Sequence, residues 1–388
     1  MATIAQPTAT DIDRLCINTI RTLSIDAIQK ANSGHPGTPM SMAPVAYVLW
    51  QRFLRFDPSD PIWPNRDRFV LSNGHASMLL YSILHLTRVR AVDPDYETLG
   101  EPSVSLDDIK SFRQLGSHAA GHPEYHLTSG VETTTGPLGQ GIATSVGMAI
   151  AGKWLGAHFG TELFDFDVYA ICGDGDLMEG VSGEAGSIAG HQRLDNLCWI
   201  YDNNHISIDG PTEITYADDV AARFMGYGWN VTRVGDANDL ELLTRAFDEF
   251  GQEAARPTLI IVDSHIGYGS PHKQDTAAAH GEPLGEEEVR ETKRFYGWRE
   301  DAEFLVPDEV YEHFADGLGE RGRRLREEWE RRVTGSGPGV AAEIDRLQRR
   351  ELPEGWDADI PSFEADPDGI ATRKASNQVL NAIAPRVP

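Results

Sequence analysis

The 388-residue sequence predicts an α/β fold: a doubly wound parallel sheet with helices on both faces. Three observations carry this. Apolar, β-branched runs at 167–172 and 197–201 read as buried parallel strands, with a helical pattern between them. Further strand-like runs at 69–71, 229–234 and 258–262 alternate with helical segments along the chain. Turn residues follow two of the strands directly, as Gly173-Asp174-Gly175 and Asp202-Asn203-Asn204. In an open α/β sheet, ligands sit at the carboxyl ends of the strands, where both turns fall.

Taken in order, residues 10–31 predict an amphipathic helix, with Ile12, Leu15, Cys16, Ile20, Leu23 and Ala27 at helical spacing. A loop rich in turn residues, Asn32-Ser33-Gly34-His35-Pro36-Gly37, ends it. A second helix is expected over 41–54, a short strand over 69–71, and a helix from His75 to Leu86. Residues 104–131 read as loop and carry His118, His122 and His126. Residues 138–155 read as a helix of small residues that packs close to its neighbours. After about Val306 the character changes. The segment 320–332 alternates charge as a solvated helix does, and acidic residues interleave its arginines. Gly335-Ser336-Gly337-Pro338-Gly339 is a turn or linker. A short helix and a Pro-, Asp- and Glu-rich connection over 352–368 follow, and a new helical pattern starts at Ala371. The expected domains are 1–333, an interdomain linker over 334–369, and the start of a further domain over 370–388. There are no internal repeats.

Composition narrows the function. Lys and Arg total 34 against 60 Asp and Glu, a net charge of −26. That balance argues against a nucleic-acid partner, which needs a basic face. It is compatible with salt-tolerant solubility. No apolar run approaches a membrane span, and the N-terminus lacks a signal-peptide pattern. Cys16, Cys172 and Cys198 have no metal spacing. Two of them lie in expected buried strands, so they read as packing thiols in a reducing cytoplasm.

The first turn contains a chemical oddity. A glycine turn leading into a helix suits an anion such as phosphate. A carboxylate in the middle of that turn repels phosphate unless a cation lies between them. Mg²⁺ combines one or two protein carboxylates with substrate phosphate oxygens, and Ca²⁺ also takes oxygen ligands. Asp174 offers a carboxylate, Asn204 an amide oxygen, and the backbone just beyond it a carbonyl. The plain alternative is a tight turn with an Asp cap on the next helix. Residues 173–180 lack both the spacing of the dinucleotide fingerprint and the Gly-Lys-Ser/Thr ending of a P-loop.

The run GDGDLMEGVSGEAGSIAGH at 173–191, followed by IYDNNHISIDG at 200–210, resembles the thiamine diphosphate motif and transketolases in particular. KANSGHPGTPMSMAP, RFVLSNGHAS, TTTGPLGQGIATSVGMA, AHGEPLGEEEV and ATRKAS follow the order of that family and cover nearly the whole chain. The resemblance implies the thiamine diphosphate-binding fold and a ketol transferase acting on sugar phosphates. It implies that Asp174, Asn204 and the Ile206 carbonyl hold Mg²⁺, with Ca²⁺ able to substitute. Gly173, Gly175 and Glu179 flank that site. Glu179 matches a position that meets the second domain's activating glutamate across a dimer. Ile208 matches the residue packed on the thiazolium ring. Gly136, Pro137 and Leu138 match the loop that approaches the cofactor. His35, His75, His122 and His280 match positions along the substrate channel and diphosphate, where imidazole moves protons near neutral pH. Arg373 matches the arginine that grips the substrate phosphate. His118, His126, His191, His205 and His272 receive no role.

ATRKAS resembles the opening of the family's pyrimidine-binding domain. The chain therefore reads as an amino-terminal portion, inactive alone unless a second domain, or a complementing chain in place of a homodimer partner, completes it. Sibling thiamine diphosphate enzymes are the neighbouring reading: dihydroxyacetone synthase, deoxyxylulose-phosphate synthase or the homodimeric pyruvate dehydrogenase component. GDGDLMEG and HGEPLG favour transketolase over the last two. A non-catalytic cofactor-binding or assembly module is the reading from a different class.

Overall fold

Five parallel strands form the centre of the protein, in the order β1-β4-β5-β9-β8. A computed structural model describes residues 11–387. The strands are β1 (Arg68–Leu71), β4 (Val168–Gly173), β5 (Leu197–Asn203), β8 (Asn230–Val234) and β9 (Thr258–Asp263). Two small antiparallel ribbons lie outside the sheet: β2 (Arg90–Val92) with β3 (Thr98–Pro102), and β6 (Ile206–Ser207) with β7 (Gly210–Pro211). The chain divides into two compact units, one ending at Glu330 and the other beginning at Arg331.

In the first unit, helices α1 (Asp11–Ala31), α2 (Gly37–Val48), α3 (Ser77–Leu86) and α9 (Leu240–Gln252) share one core with alternate residues of the central strands. Tyr169, Ile171, Cys198, Ile200, Ile260 and Val262 belong to that core. Side chains alternate across a strand, so the intervening residues face the other layer. There Trp199 donates its indole N–H to Ser145 on α5 (Gln140–Phe159) at 2.9 Å and packs edge-on against Phe224 of α8 (Val220–Gly226). The doubly wound sheet with helices on both faces is thus the observed architecture. The remaining helices of this unit are α4 (Leu106–Lys110), α6 (Asp174–Met178), α7 (Gly180–Gln192), α10 (Glu286–Phe295) and α11 (Asp308–Phe314). Helix α12 (Glu320–Gly335) runs through the residue step at which the units divide, and the second unit holds α13 (Pro338–Gln348) and α14 (Thr372–Ile383).

The strands expected from sequence all occur, each within one or two residues of its expected bounds. Departures have local causes. Helix α2 begins at Gly37 rather than 41, because Pro39 falls within its first turn, where a missing N–H costs nothing. It also ends early, as a π-turn from Leu49 to Phe53. In the expected loop after Val104, Ser105 and Asp108 form a reciprocal capping box that starts the short α4. All three cysteines are buried free thiols. Among the described residues, no helix is long and apolar enough to cross a membrane. The first residue of the expected N-terminal helix, Thr10, lies outside the described residues.

Helix α7 turns Gly183, Gly186 and Gly190 to α8 and the Tyr227 turn that follows it, and one contact has no slack. A Cβ at Gly190 on α7 would lie 1.8 Å from the Tyr227 carbonyl oxygen. Alanine favours a helix interior by roughly 0.5–1 kcal/mol over glycine. The backbone clash outweighs that, since overpacking costs about 1–3 kcal/mol or more when the neighbour cannot move. Gly190→Ala is therefore expected to lower the melting temperature; an unchanged or raised value would show that α7 and the Tyr227 turn can separate freely.

Candidate cofactor and active site

The carboxyl ends of β1, β4, β5 and β9 gather most of the residues expected from sequence. After β4 the chain turns at Gly173 into α6, and Asp174 is buried there. Its Oδ1 accepts a hydrogen bond from the Tyr201 hydroxyl, and the His205 backbone also bonds to it. Its Oδ2 is buried with no partner among the described residues. Burial pushes this carboxyl up to about 6, against those two hydrogen bonds.

Beside it, Asp202 is the penultimate residue of β5. This fully buried carboxylate accepts from Asn204 Nδ2 at 2.9 Å, Thr38 Oγ1 at 3.4 Å and Ser264 Oγ. Burial pushes it, too, up to about 6. Asn204 turns its amide oxygen to the Ile206 N–H at 2.9 Å, which closes a short Asx turn. The Ile206 backbone in turn bonds to His280. The β5 turn and the 277–280 segment are thereby tied together.

His280 stacks on His75 with ring centroids 5.1 Å apart, and His35 lies 4.9 Å from His75 and 5.8 Å from His280. The three come from separate places: the loop after α1, the turn after β1, and the turn 277–279. Burial first, then neighbouring charge, lowers His35 to about 4 and holds His75 well below the ordinary histidine range. His280 is lowered by burial, and His122 by burial and then the Arg113 charge. All four imidazoles are neutral at pH 7, so each offers one N–H and one lone pair. Nδ1 of both His35 and His280 is buried without a partner among the described residues.

The glycine loop closes this cluster. A Cβ at Gly136 (φ +148°) would approach the His122 ring to 3.4 Å. A Cβ at Gly175 would meet Leu138 Cδ1 at 2.7 Å, and one at Gly139 would meet Glu179 Cβ at 2.9 Å. Ile208, on the β6–β7 ribbon, is 61% exposed, yet it lies within 3.3 Å of where a Cβ on Gly281 would stand. Glu179 is exposed. Arg373 is exposed on α14 in the second unit.

Sequence reasoning assigned no role to Asp176, the residue that locks these segments together. Its Oδ1 accepts from the Gly139 N–H and the Ser72 hydroxyl, both at 2.7 Å, and its Oδ2 from the Gly173 N–H at 3.0 Å. Ser72 Oγ accepts in turn from Ile142 N–H at 3.0 Å. One carboxylate thus joins the ends of β1 and β4 to the glycine loop and the start of α5. The second acid of the GDGD run was a visible signal; its two distant donors, Gly139 and Ser72, were not. Tyr201, Asp202 and Thr38 were likewise given no role, since ordinary strand and helix residues carry no mark of the bond they make.

A parallel sheet with an unpaired buried carboxylate oxygen and a cluster of neutral histidines at its carboxyl edge defines an α/β cofactor-binding domain. The chain belongs to the family described as "Transketolase, thiamine diphosphate binding domain", whose model matches residues 12–353. Transketolase from Geobacillus stearothermophilus is 49% identical over 386 residues, covering 98% of this chain and 56% of its own length. Transketolase 1 of Saccharomyces cerevisiae is 44% identical over 98% of this chain and 54% of its own. A Pichia stipitis transketolase solved with sedoheptulose 7-phosphate matches with a TM-score of 0.89 at 41% identity, over 98% of this chain and 55% of the other. The chain therefore spans about half the length of the curated relatives it matches.

Proposed function

We propose that this domain binds thiamine diphosphate through Mg²⁺, with Ca²⁺ able to substitute, and supplies the diphosphate- and metal-binding half of a transketolase. The reaction is transfer of a two-carbon ketol unit from a ketose phosphate to an aldose phosphate, in the cytoplasm. The observation that carries this reading is Asp174 Oδ2, a buried carboxylate oxygen with no partner among the described residues, one residue beyond the β4 strand end. Burying an uncompensated charge is costly, and a cation at this oxygen removes the cost. Asn204 and the Ile206 carbonyl would complete the ligand set once the Asn204 oxygen leaves the Ile206 N–H.

Thiamine diphosphate, when bound, supplies the carbanion that makes and breaks the carbon–carbon bond; protein groups orient it and move protons. Gly136 and Leu138 bring backbone and side chain close to the cofactor, and Ile208 offers an exposed apolar face for its ring. His35, His75, His122 and His280 stay uncharged at neutral pH. Each can accept a proton from a sugar hydroxyl, becoming imidazolium while it holds that proton, and return it to leave the ring neutral again. Arg373 would meet the substrate phosphate.

A partner is needed to complete the site, as a homodimer or as a complementing pyrimidine-domain chain. Two adjoining helices support this: α5 exposes Ile150 and Trp154, and α7 exposes Ile188, an apolar surface within the first unit. Glu179 is exposed, and its role in this reading is to meet a second domain's glutamate.

Calorimetric titration of thiamine diphosphate with Mg²⁺ tests the cofactor reading. A ligand carboxylate must be ionised to hold the metal. The Asp174 carboxyl sits at about 6, so affinity is expected to be full above that pH and to decline as pH falls through it. Absence of Mg²⁺-dependent binding at neutral pH would overturn the reading. Ketol transfer from xylulose 5-phosphate to ribose 5-phosphate is expected only when a pyrimidine-domain chain is added. Turnover by the chain alone would mean that the aminopyrimidine is activated from within these residues.

A further inference from the structure

A second group of ligand atoms lies outside the site described above, between α10 and the segment leading to His280. Glu288 and Glu291 are three residues apart on α10 and so share a face. His272 reaches them from that preceding segment. Its Nδ1 is 2.9 Å from Glu288 Oε2 and 3.3 Å from Glu291 Oε2. Ligand atoms of the three residues all lie within 4.8 Å of one another. Glu288 is fixed before any ligand arrives. Its side chain is 10% exposed, and its Oε1 accepts from the Ser270 hydroxyl and from the His272 N–H at 2.8 Å. That leaves Oε2 aimed at the imidazole. Hydrogen bonds that hold the far oxygen of a carboxylate are the usual outer support of a metal ligand.

We propose that His272, Glu288 and Glu291 form a binding site for a divalent transition-metal ion of the zinc class. Two carboxylates balance the double charge, and an imidazole nitrogen selects zinc-like ions over Mg²⁺ and Ca²⁺, which take oxygen. Bonds of about 2.0–2.2 Å in tetrahedral geometry set ligand atoms roughly 3.3 Å apart, close to the two imidazole–carboxylate separations of 2.9 and 3.3 Å. The fourth position faces water, since His272 is 72% exposed at its side chain. Without a metal, the imidazole proton occupies the place between the carboxylates, and Glu288 first, then Glu291, raises the ring's proton affinity. Metal and proton therefore compete, and zinc affinity falls as pH is lowered. Binding would pin the segment ending at His280 to α10.

The test uses the full chain with the cofactor site first filled by thiamine diphosphate and excess Mg²⁺, then titrated with Zn²⁺. One equivalent is expected to bind to the unsubstituted protein and to be lost in His272→Ala and in Glu291→Gln. Asp174→Asn should retain it, which separates this site from the cofactor site. Ser270→Ala, which removes outer support only, should weaken binding by about 10–100-fold. Co²⁺ offers a second readout, with visible bands of a four-coordinate ion that vanish in His272→Ala. Equal Zn²⁺ binding by His272→Ala and the unsubstituted chain would overturn the proposal. So would full competition by millimolar Mg²⁺, because the ligand set would then not be selecting a zinc-class ion.

Discussion

Asp174→Asn is expected to lower Mg²⁺-dependent thiamine diphosphate affinity by at least about 100-fold while raising the melting temperature of the cofactor-free domain. The two effects have one source. The carboxylate is 5% exposed, and its Oδ2 has no partner among the described residues. Moving a carboxyl from its ordinary 3.8 to about 6 corresponds to roughly 3 kcal/mol, at 1.36 kcal/mol per unit. The amide removes that charge and keeps an oxygen for the Tyr201 hydroxyl. Its new N–H group is buried without an acceptor, which costs about 1–3 kcal/mol and offsets part of the gain. A net stabilisation of about 1 kcal/mol follows, read as a rise of about one degree in a chain of this length. The lost metal ligand is not offset by anything. Cofactor titration and thermal melts on the same samples check both signs. Retained affinity, or a cofactor-free domain that melts lower, would mean that Asp174 is a structural cap rather than a ligand.

How much of this was legible in sequence follows from what each signal encodes. The strands after Asp167, Leu197 and Thr258 were readable because parallel strands buried on both faces need continuous apolar runs. The turns after β4 and β5 were readable because glycine and asparagine report on the backbone itself. Histidine positions were readable only through motif resemblance; no periodicity brings residues 35, 75 and 280 to ring separations of 4.9–5.8 Å. Helix α2 was misjudged at both ends, since apolar composition on all sides hides a boundary that Pro39 and the π-turn set. Buried polar partners were the least legible. Thr38 and Ser264 meet at Asp202 from distant points in the chain. Nothing in a serine or threonine announces which carboxylate it will serve.

Asp176 shows what that blind spot conceals, and it carries the largest expected stability change. Asp176→Ala leaves the Gly139 N–H, the Gly173 N–H and the Ser72 hydroxyl without their acceptor in a buried region. Each orphaned group costs about 1–3 kcal/mol. Burial raises the Asp176 carboxyl above its ordinary range, so removing it returns some desolvation cost. Three orphans outweigh that return, and a loss of about 3–5 kcal/mol is expected. Asp176→Asn discriminates between charge and geometry. With its oxygen kept at the Oδ1 position, it still serves Gly139 and Ser72, and only the Gly173 N–H faces a donor. That variant should lose about 1–3 kcal/mol. Denaturant unfolding ranks the two, and amide exchange locates the damage. Exchange should quicken at Gly139 and Gly173 in the alanine variant and at Gly173 alone in the asparagine variant. The alanine variant should also bind thiamine diphosphate less tightly, because the glycine loop that approaches the cofactor would be released from β1 and β4. Equal losses in the two variants would show that the charge, not the three-way junction, is what holds the loop. A fully stable alanine variant would show that Ser72 and Ile142 maintain the junction without it.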